Sequence, residues 1–449
     1  MEHIIREGDV DAKIFIHRSL IDKGTMSQIR DMIHHPSLSH IRIMPDCHRG
    51  KGCCVGFTSL LKDKVVPQYV GGDIGCGILT YPIGAPTDYM AKKEIDEIIR
   101  LCVRMGSGSN SVWKDPVVTD TDIENICTQA SEDAEQFAKA FNDRFESNLT
   151  EYIPKYNLEW FTKFCRKIQL EEDYARRSLG SLGGGNHFIE LNESVETGTQ
   201  YLTIHSGSRS FGDKTCRYHQ EKINETRRFD YRDFKHTMKK ANRKFRSSKA
   251  LKKVADQYRS EFEEHKHNDY LEEKEAYEYF FDMIFAQIYA QYNRRTMLKQ
   301  IINEINKRYG NYIEFKEENV IESIHNYIDF KDFVMRKGAI SSYADQKCLI
   351  ALNMRDGILL CNGKSNHDWN YSAAHGAGRA VARYAANQKF SLKEFRNEMK
   401  KVYSTSVVAE TIDEAPMAYK DTELIKECLG PTVDIIEQLK PIINVKALD

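Results

Sequence analysis

Gly71-Gly72-Asp73-Ile74-Gly75-Cys76-Gly77 sets a carboxylate and a thiol three residues apart in a turn rich in glycine. Glycine tolerates backbone angles that other residues avoid, so such a loop can fold tightly and bring Asp73 and Cys76 to one point. A carboxylate and a thiolate together make half of a transition-metal site. The same spacing also fits a tight turn between strands that buries a cysteine. The loop by itself does not choose between these readings, and the choice falls to the rest of the chain.

The chain has 449 residues, enough for a large core, and length alone sets a prior of about two to three domains. Charged residues make up 29% and hydrophobic residues 41%, the balance of a globular protein in water. The formal net charge is −1, so contact with nucleic acid has to come from local clusters of Lys and Arg. The N-terminal MEHIIREGDV has no apolar signal core, and no run approaches a membrane span. Eleven cysteines without a regular framework point to reduced thiols, and the expected location is the cytoplasm.

Along the chain, a small strand and a helix around Ser27–His35 precede IRIMPDCHRGKGCCVGFTSLL, whose apolar runs read as strands. Pro45 and the glycines at 50, 52 and 56 place Asp46 and His48 in a turn there. ILTYPIG leaves the Gly71–Gly77 loop as a strand, 91–105 reads as an amphipathic helix, and 106–111 as a polar loop. Helices are expected over 121–178 and through most of 215–310. Phe280, Phe281, Ile284, Phe285, Ile288, Tyr289 and Tyr292 give the stripe of a core-facing helix. SLGGGNHFIEL is a glycine turn running into a strand, and TIHSGSRSFG a strand ending in a polar loop. SAAHGAGRAVARYAAN reads as a turn opening a helix, and the tail after Pro416 as a helix and a short last strand, IINVKAL. Strand blocks alternate irregularly with helices, so the expected class is α+β.

Four of the fifteen histidines share a setting: His187, His205, His325 and His375 sit at strand ends or turns beside small or amide residues. His17, His34, His35, His265 and His267 lack it and read as solvated. Added to Asp73 and Cys76, the first group suits Mn, Fe, Co or Zn. The carboxylate favours Mn²⁺ and the thiolate Zn²⁺, and ligand type alone does not choose. Gly183-Gly184-Gly185-Asn186 and His375-Gly376-Ala377-Gly378-Arg379 are phosphate candidates, because glycines let backbone N–H groups approach an anion and Arg adds a fork of donors.

MPDCHRGKG (44–52), VGGDIGCG (70–77), GGGNHFIEL (183–191), IHSGSRSFG (204–212), HNY (325–327), RKGAI (336–340), HGAGR (375–379) and DEAPMAYKD (413–421) together resemble the signature of the RtcB family of RNA-splicing ligases. They run in the family's order over nearly the whole chain. The resemblance implies one large catalytic domain over 1–449, of mixed sheets with flanking helices and a helical, partly basic subregion near 215–310. It implies that Asp73, Cys76, His187, His205 and His325 bind two Mn²⁺ ions, with Cys76 shared, and that His375 carries GMP taken from GTP. Asn186 matches a residue at the α-phosphate, and Glu190, Tyr419 and Lys446 match groups around guanine. His325, Asn326, Asn353 and Gly376, Ala377, Gly378 and Arg379 complete the implied GTP site. The implied substrates are RNA ends bearing a 2′,3′-cyclic phosphate or 3′-phosphate and ends bearing a 5′-hydroxyl, in tRNA splicing or RNA repair. An archease-type activator serves some members, and no membrane is involved.

The chain departs from the family where it reads Ala351-Leu352-Asn353-Met354 in place of a Pro-Gly-Ser-Met turn, and in the stretch CNGKSNHDWNYSA before His375. Two other readings stand beside the ligase: a metal-dependent phosphodiesterase or phosphatase on RNA ends, and a non-catalytic RNA-binding relative. Retention of His375 weighs against the first, and a full ligand set against the second. Residues 227–253 hold twelve Lys or Arg against two Asp, with Phe229, Tyr231, Phe234 and Phe245 interleaved. They read either as a solvated helix face or as an RNA contact.

Overall fold

Two apolar runs on either side of Gly50 and Gly52 form the antiparallel strands Leu38–His48 and Val55–Leu61. In the computed structural model, which describes residues 3–5, 10, 12–108, 111–227, 231–244, 248–265, 269–310 and 313–448, they centre a six-stranded sheet. Its order is His3–Ile5, Ala12–Ile14, Leu38–His48, Val55–Leu61, Val334–Lys337 and Asn326–Ile328, and only the second and third strands pair in parallel. A seven-stranded antiparallel sheet runs Ile321–Ile324, Gly77–Gly84, Gln200–Ser206, Phe188–Ser194, Val433–Val445, Ile358–Gly363 and Lys347–Ala351. Segregated helices complete the expected α+β fold.

His325 lies where the two sheets meet. The strand before it, Ile321–Ile324, edges one sheet, and the strand after it, Asn326–Ile328, edges the other. Register then sets its neighbours. Gly77 lies opposite both Ser206 and Ile324, and Phe188 opposite His205. Cys76, His187, His205 and His325 therefore come to the same end of adjacent strands.

The helix Glu273–Tyr309 runs behind this end. The sequence reads as one apolar stripe, but every residue from Tyr279 to Ala290 is buried, including Asp282 and Gln287. Helices Asp120–Phe145, Arg209–Arg227 and Lys92–Cys102 and strand Gln200–Ser206 all pack on it, which leaves that part no solvated face. Arg294 on this helix is fully buried. Its Nε meets Glu322 Oε1 at 2.6 Å, and its Nη1 donates to the carbonyls of Gly75 (2.8 Å) and Ser206 (2.7 Å).

Several local expectations shift. The first helix is Lys23–Met32, started by Asp22, whose side chain accepts from Gly24 and Thr25 N–H. Asp46 and His48 lie within the strand Leu38–His48, but the register breaks there: Ile43 pairs with Phe57 and His48 with Val55, so Asp46 sits in an unpaired bulge between them instead of an open turn. Arg209 opens the helix Arg209–Arg227, so RSFG (209–212) is helical where a loop is expected. HGAGR follows the strand Ser372–Ala374, and the next helix starts only at Arg383; no helix N-terminus backs that string. The last strand is thirteen residues, Val433–Val445. His35 is buried, with Ser37 and Asp269 as partners, and not solvated. His267, Ser109, Asn110, Phe229 and Phe245 lie outside the described residues, as do the side chains of His265 and Tyr231. Among the described residues no helix is long and apolar enough to cross a membrane.

Arg294→Met leaves Glu322 paired with Arg295 but takes the donor from the buried Gly75 and Ser206 carbonyls. At about 1–3 kcal/mol for each unsatisfied buried acceptor, it should destabilise the chain by a few kcal/mol, read as a lowered urea midpoint, and should also weaken cation binding at the adjoining cluster. Unchanged stability would show that Arg294 does not hold these elements together.

Candidate active site

The five expected metal ligands converge. Cys76 Sγ lies 3.4 Å from His205 Nε2 and 3.5 Å from His187 Nε2; His205 and His325 Nε2 are 3.4 Å apart, and His187 Nε2 is 3.0 Å from Asp73 Oδ2. Two triads result, Cys76–His205–His325 and Asp73–Cys76–His187, with Cys76 common to both. Gly207 makes room: a Cβ there would sit 2.1 Å from Asp73 Oδ1. The Ser208 N–H donates to the same oxygen at 3.0 Å.

The donor set fits a cation. His187 Nδ1 can only donate to the Leu182 carbonyl 2.9 Å away, so its Nε2 faces Asp73 with a lone pair unless it is charged. A proton or a metal has to lie between them. Burial, reinforced by the neighbouring histidines, holds His205 and His325 well below the usual histidine range, so both are neutral and able to ligate. Burial raises the Asp73 carboxyl, but the His187 hydrogen bond and charge, with Cys76 and Arg209, outweigh it and bring the group down to about 2. Burial and Asp73 push the Cys76 thiol well up, against Arg294, which favours the thiolate. A bound cation would supply the missing charge. Bonds of about 2.0–2.3 Å place neighbouring donors roughly 3.0–3.5 Å apart, the spacings found here.

His375 lies beside this cluster, its ring 4.8 Å from that of His325. Its Nδ1 is 2.6 Å from Oδ2 of Asp46, which is fully buried. The carboxylate accepts the Nδ1 proton and leaves Nε2 with its lone pair. Sequence reasoning quoted Asp46 but gave it no role; a register across 329 residues cannot be read from the chain. Gly378, at φ +70°, lets the chain pass, because a Cβ there would meet the Asp46 carbonyl oxygen at 2.0 Å.

Two cavities meet at His375, and His48 and Asn186 also line both. The metal-side cavity, about 600 Å³, includes Asp73, Cys76, His325, Asn326 and Lys337. The other, about 210 Å³, includes Glu190, Asn353, Gly376, Ala377, Gly378, Arg379, Tyr419 and Lys446. His325 and Asn326 are thus on the metal side, apart from the rest of the implied GTP set; the Asn326 amide donates to the Asp73 carbonyl. Burial pushes His48 down to about 4, so this second histidine is neutral.

In the smaller cavity, Glu190 accepts from Asn444 at 2.7 Å and Asn192 at 2.8 Å. Burial pushes its carboxyl up to about 7 against those bonds and Lys446. Lys446 is buried, not a frayed tail: Nζ donates to the His187 carbonyl at 3.0 Å and pairs with Glu414 at 3.1 Å. Tyr419 donates to Glu414 at 2.7 Å and lies under the Arg379 guanidinium. Arg379 is engaged with Val381, Asp413 and Glu414. Asn353 holds a turn: its Oδ1 accepts from the Arg355 and Asp356 N–H groups and its Nδ2 donates to the Asp356 carboxylate, so both ends of the side chain are engaged within the turn.

The family model described as tRNA-splicing ligase RtcB matches the chain from residue 28 to residue 447. The chain belongs to the RtcB family. It is an RNA ligase by that membership. Among similar proteins, the RNA-splicing ligase RtcB of Escherichia coli K12 is 26% identical over 434 residues, covering 91% of this chain and 90% of its own. The tRNA-splicing ligase RtcB of Pyrobaculum aerophilum is 23% identical over 457 residues, covering 90% and 87%. That of Methanococcus maripaludis is 23% identical over 480 residues, covering 95% and 92%.

Cys76→Ala removes the donor common to both triads. Equilibrium dialysis with a divalent transition-metal ion should show binding weakened at least about 10-fold, whereas a structural thiol would leave affinity unchanged.

Proposed function

We propose that this RtcB member joins RNA ends bearing a 2′,3′-cyclic phosphate or 3′-phosphate to 5′-hydroxyl ends, using GTP and two Mn²⁺ ions, on one catalytic domain. The observation that carries the reading is His375, held by Asp46 with Nε2 turned to the junction of the two cavities. A neutral imidazole fixed in one tautomer is an activated nucleophile.

In this reading Nε2 attacks the α-phosphorus of GTP; the N–P bond forms, the P–O bond to the β-phosphate breaks, and pyrophosphate leaves. Asp46 stabilises the positive charge that develops on the imidazole. A 2′,3′-cyclic end is first opened by water, which breaks the P–O2′ bond and leaves a 3′-phosphate and a 2′-hydroxyl; the GMP group then passes to the RNA 3′-phosphate, breaking N–P and making an RNA-(3′)pp(5′)G linkage. The 5′-hydroxyl of the second RNA attacks the 3′-phosphorus and releases GMP. Asp73, Cys76, His187, His205 and His325 would hold the Mn²⁺ ions, which supply Lewis-acid polarisation of phosphoryl oxygens and charge balance. Glu190, Tyr419 and Lys446 would hold guanine, and Asn186 the α-phosphate. A histidine held in this way is not needed for simple hydrolysis, which disfavours a phosphodiesterase or phosphatase. An archease-type activator and a cytoplasmic location belong to the same proposal.

Incubated with labelled GTP and Mn²⁺, the protein should acquire acid-labile label on His375. Asp46→Asn should bind Mn²⁺ and GTP normally yet lose label formation by roughly 10²-fold or more, because the amide can stabilise the wrong tautomer. His375→Ala should form none. Label on another residue would refute the assignment.

Glu190 sets a second test. With its carboxyl at about 7, the carboxylate that would accept guanine N–H groups predominates above that pH and is lost below it. GTP affinity of His375→Ala should weaken roughly tenfold from about pH 8 to about pH 6. Adding Glu190→Gln should weaken binding and flatten this dependence. A pH-independent Kd in the parent would exclude Glu190 from the base contact.

A further inference from the structure

We infer that the helices Tyr231–Lys244 and Ser248–His265 form an arm that grips the phosphate backbone of the RNA away from its reacting ends, an inference that rests on the reading of the chain as a ligase of RNA ends. Residues 239–253 hold eight Lys or Arg and no Asp or Glu, in a chain whose net charge is −1. A helix that is merely solvated mixes signs in i,i+4 pairs. This chain does so elsewhere, at Lys93–Glu97, Glu159–Lys163 and Glu304–Arg308. Within 239–253 no such pair can form, and beyond it only Asp256, four residues after Lys252, is an acid in reach.

The arrangement keeps this charge outward. Phe234, Met238, Leu251 and Val254 are half-buried and Ala241 is buried, while Lys239, Lys240, Arg243, Lys249, Lys252 and Lys253 are exposed. The two helices pack chiefly on one another, so the apolar residues close the hairpin and the cations are not spent on docking it.

Its attachment places it on the substrate's path. The helix Arg209–Arg227 starts next to Ser208, which binds Asp73, and its Asp213, Arg217 and Gln220 line the metal-side cavity. Nineteen residues carry the chain about 28 Å from the metal cluster. The arm begins at Tyr231, within about 14 Å of that helix's end. An RNA strand leaving the cavity along this helix reaches the basic faces several nucleotides from its end. Such contacts are to phosphates, so they add affinity without sequence preference and respond to salt.

The test uses the full chain carrying Lys239→Ala, Lys240→Ala, Arg243→Ala and Lys252→Ala, with RNA of about 20 nucleotides ending in a 3′-phosphate. Fluorescence anisotropy across a salt series should show the slope of log affinity against log salt flattened by roughly 0.7 per lost contact, up to about 3. An RNA of about four nucleotides, too short to reach the arm, should bind as to the parent. Guanylylation by GTP should also be unchanged, which certifies the fold. Lysine-to-arginine replacements at 239, 240 and 252 should keep the parent slope. If the parent ligates and the alanine variant keeps its affinity and slope for long RNA, the arm does not hold RNA, whether or not it serves an acidic protein or a lipid surface. If slope and affinity change but neither protein guanylylates, the ligase reading falls and the arm stands. Equal loss for short and long RNA would also overturn the inference.

Discussion

The buried guanidinium of Arg294 is the constraint on which the site depends. It reaches from the central helix to the Gly75 carbonyl, the Ser206 carbonyl and the Glu322 carboxylate. Gly75 precedes Cys76, Ser206 follows His205, and Glu322 lies three residues before His325. One side chain thus fixes the backbone around a donor from each of three strands. Arg295 shares Glu322, and the two arginines hold that carboxyl below its usual range although burial alone would raise it. A buried ion pair is weak evidence for stability as such. Here its worth is geometric, because it orients the ligands of a site that has to form before any cation binds.

The second constraint is the seam between the sheets. His325 changes sheets, Asp46 is on a strand separated from that edge strand by two others, and His375 follows a short strand paired with Ala339–Ser341. His375 and the Cys76–His187–His205 group are therefore carried by separate sheets that meet, and a cavity opens on each side of His375. This separation is useful for a reaction with two substrates. Glu190 is in the smaller cavity, and the larger one faces the Asp73–Cys76 cluster, so two ligands can reach one imidazole from different directions.

Much of this was legible in the chain. Asp73 and Cys76 announce themselves through flanking glycines, and the strand-end histidines through their amide and glycine neighbours. The family resemblance then supplied the grouping. The parts that were not legible are those set by long-range pairing. Pro45 and the nearby glycines signal an interruption at Asp46, and the strand is indeed broken by a bulge between Ile43 and His48; that this bulge faces His375 depends on residues 329 positions away. Arg294 and Glu414 were missed because a buried charge carries no local mark; only its partners show that it is paired. His35 was read as solvated for the same reason, since Asp269 is 234 residues away.

The sequence by itself determined which groups are available: a thiol and a carboxylate in a glycine turn, histidines at strand ends, a basic stretch without acids, and motifs in the order of one family. These are local properties of composition and spacing, and they survive in any conformation. The tertiary structure alone decided which nitrogen of each histidine is free, which carboxyl is charged, and which lysine is buried. Those properties belong to pairs of residues hundreds of positions apart. They exist only once folding removes water and sets donor against acceptor, as between Asp46 and His375 or between Lys446 and Glu414.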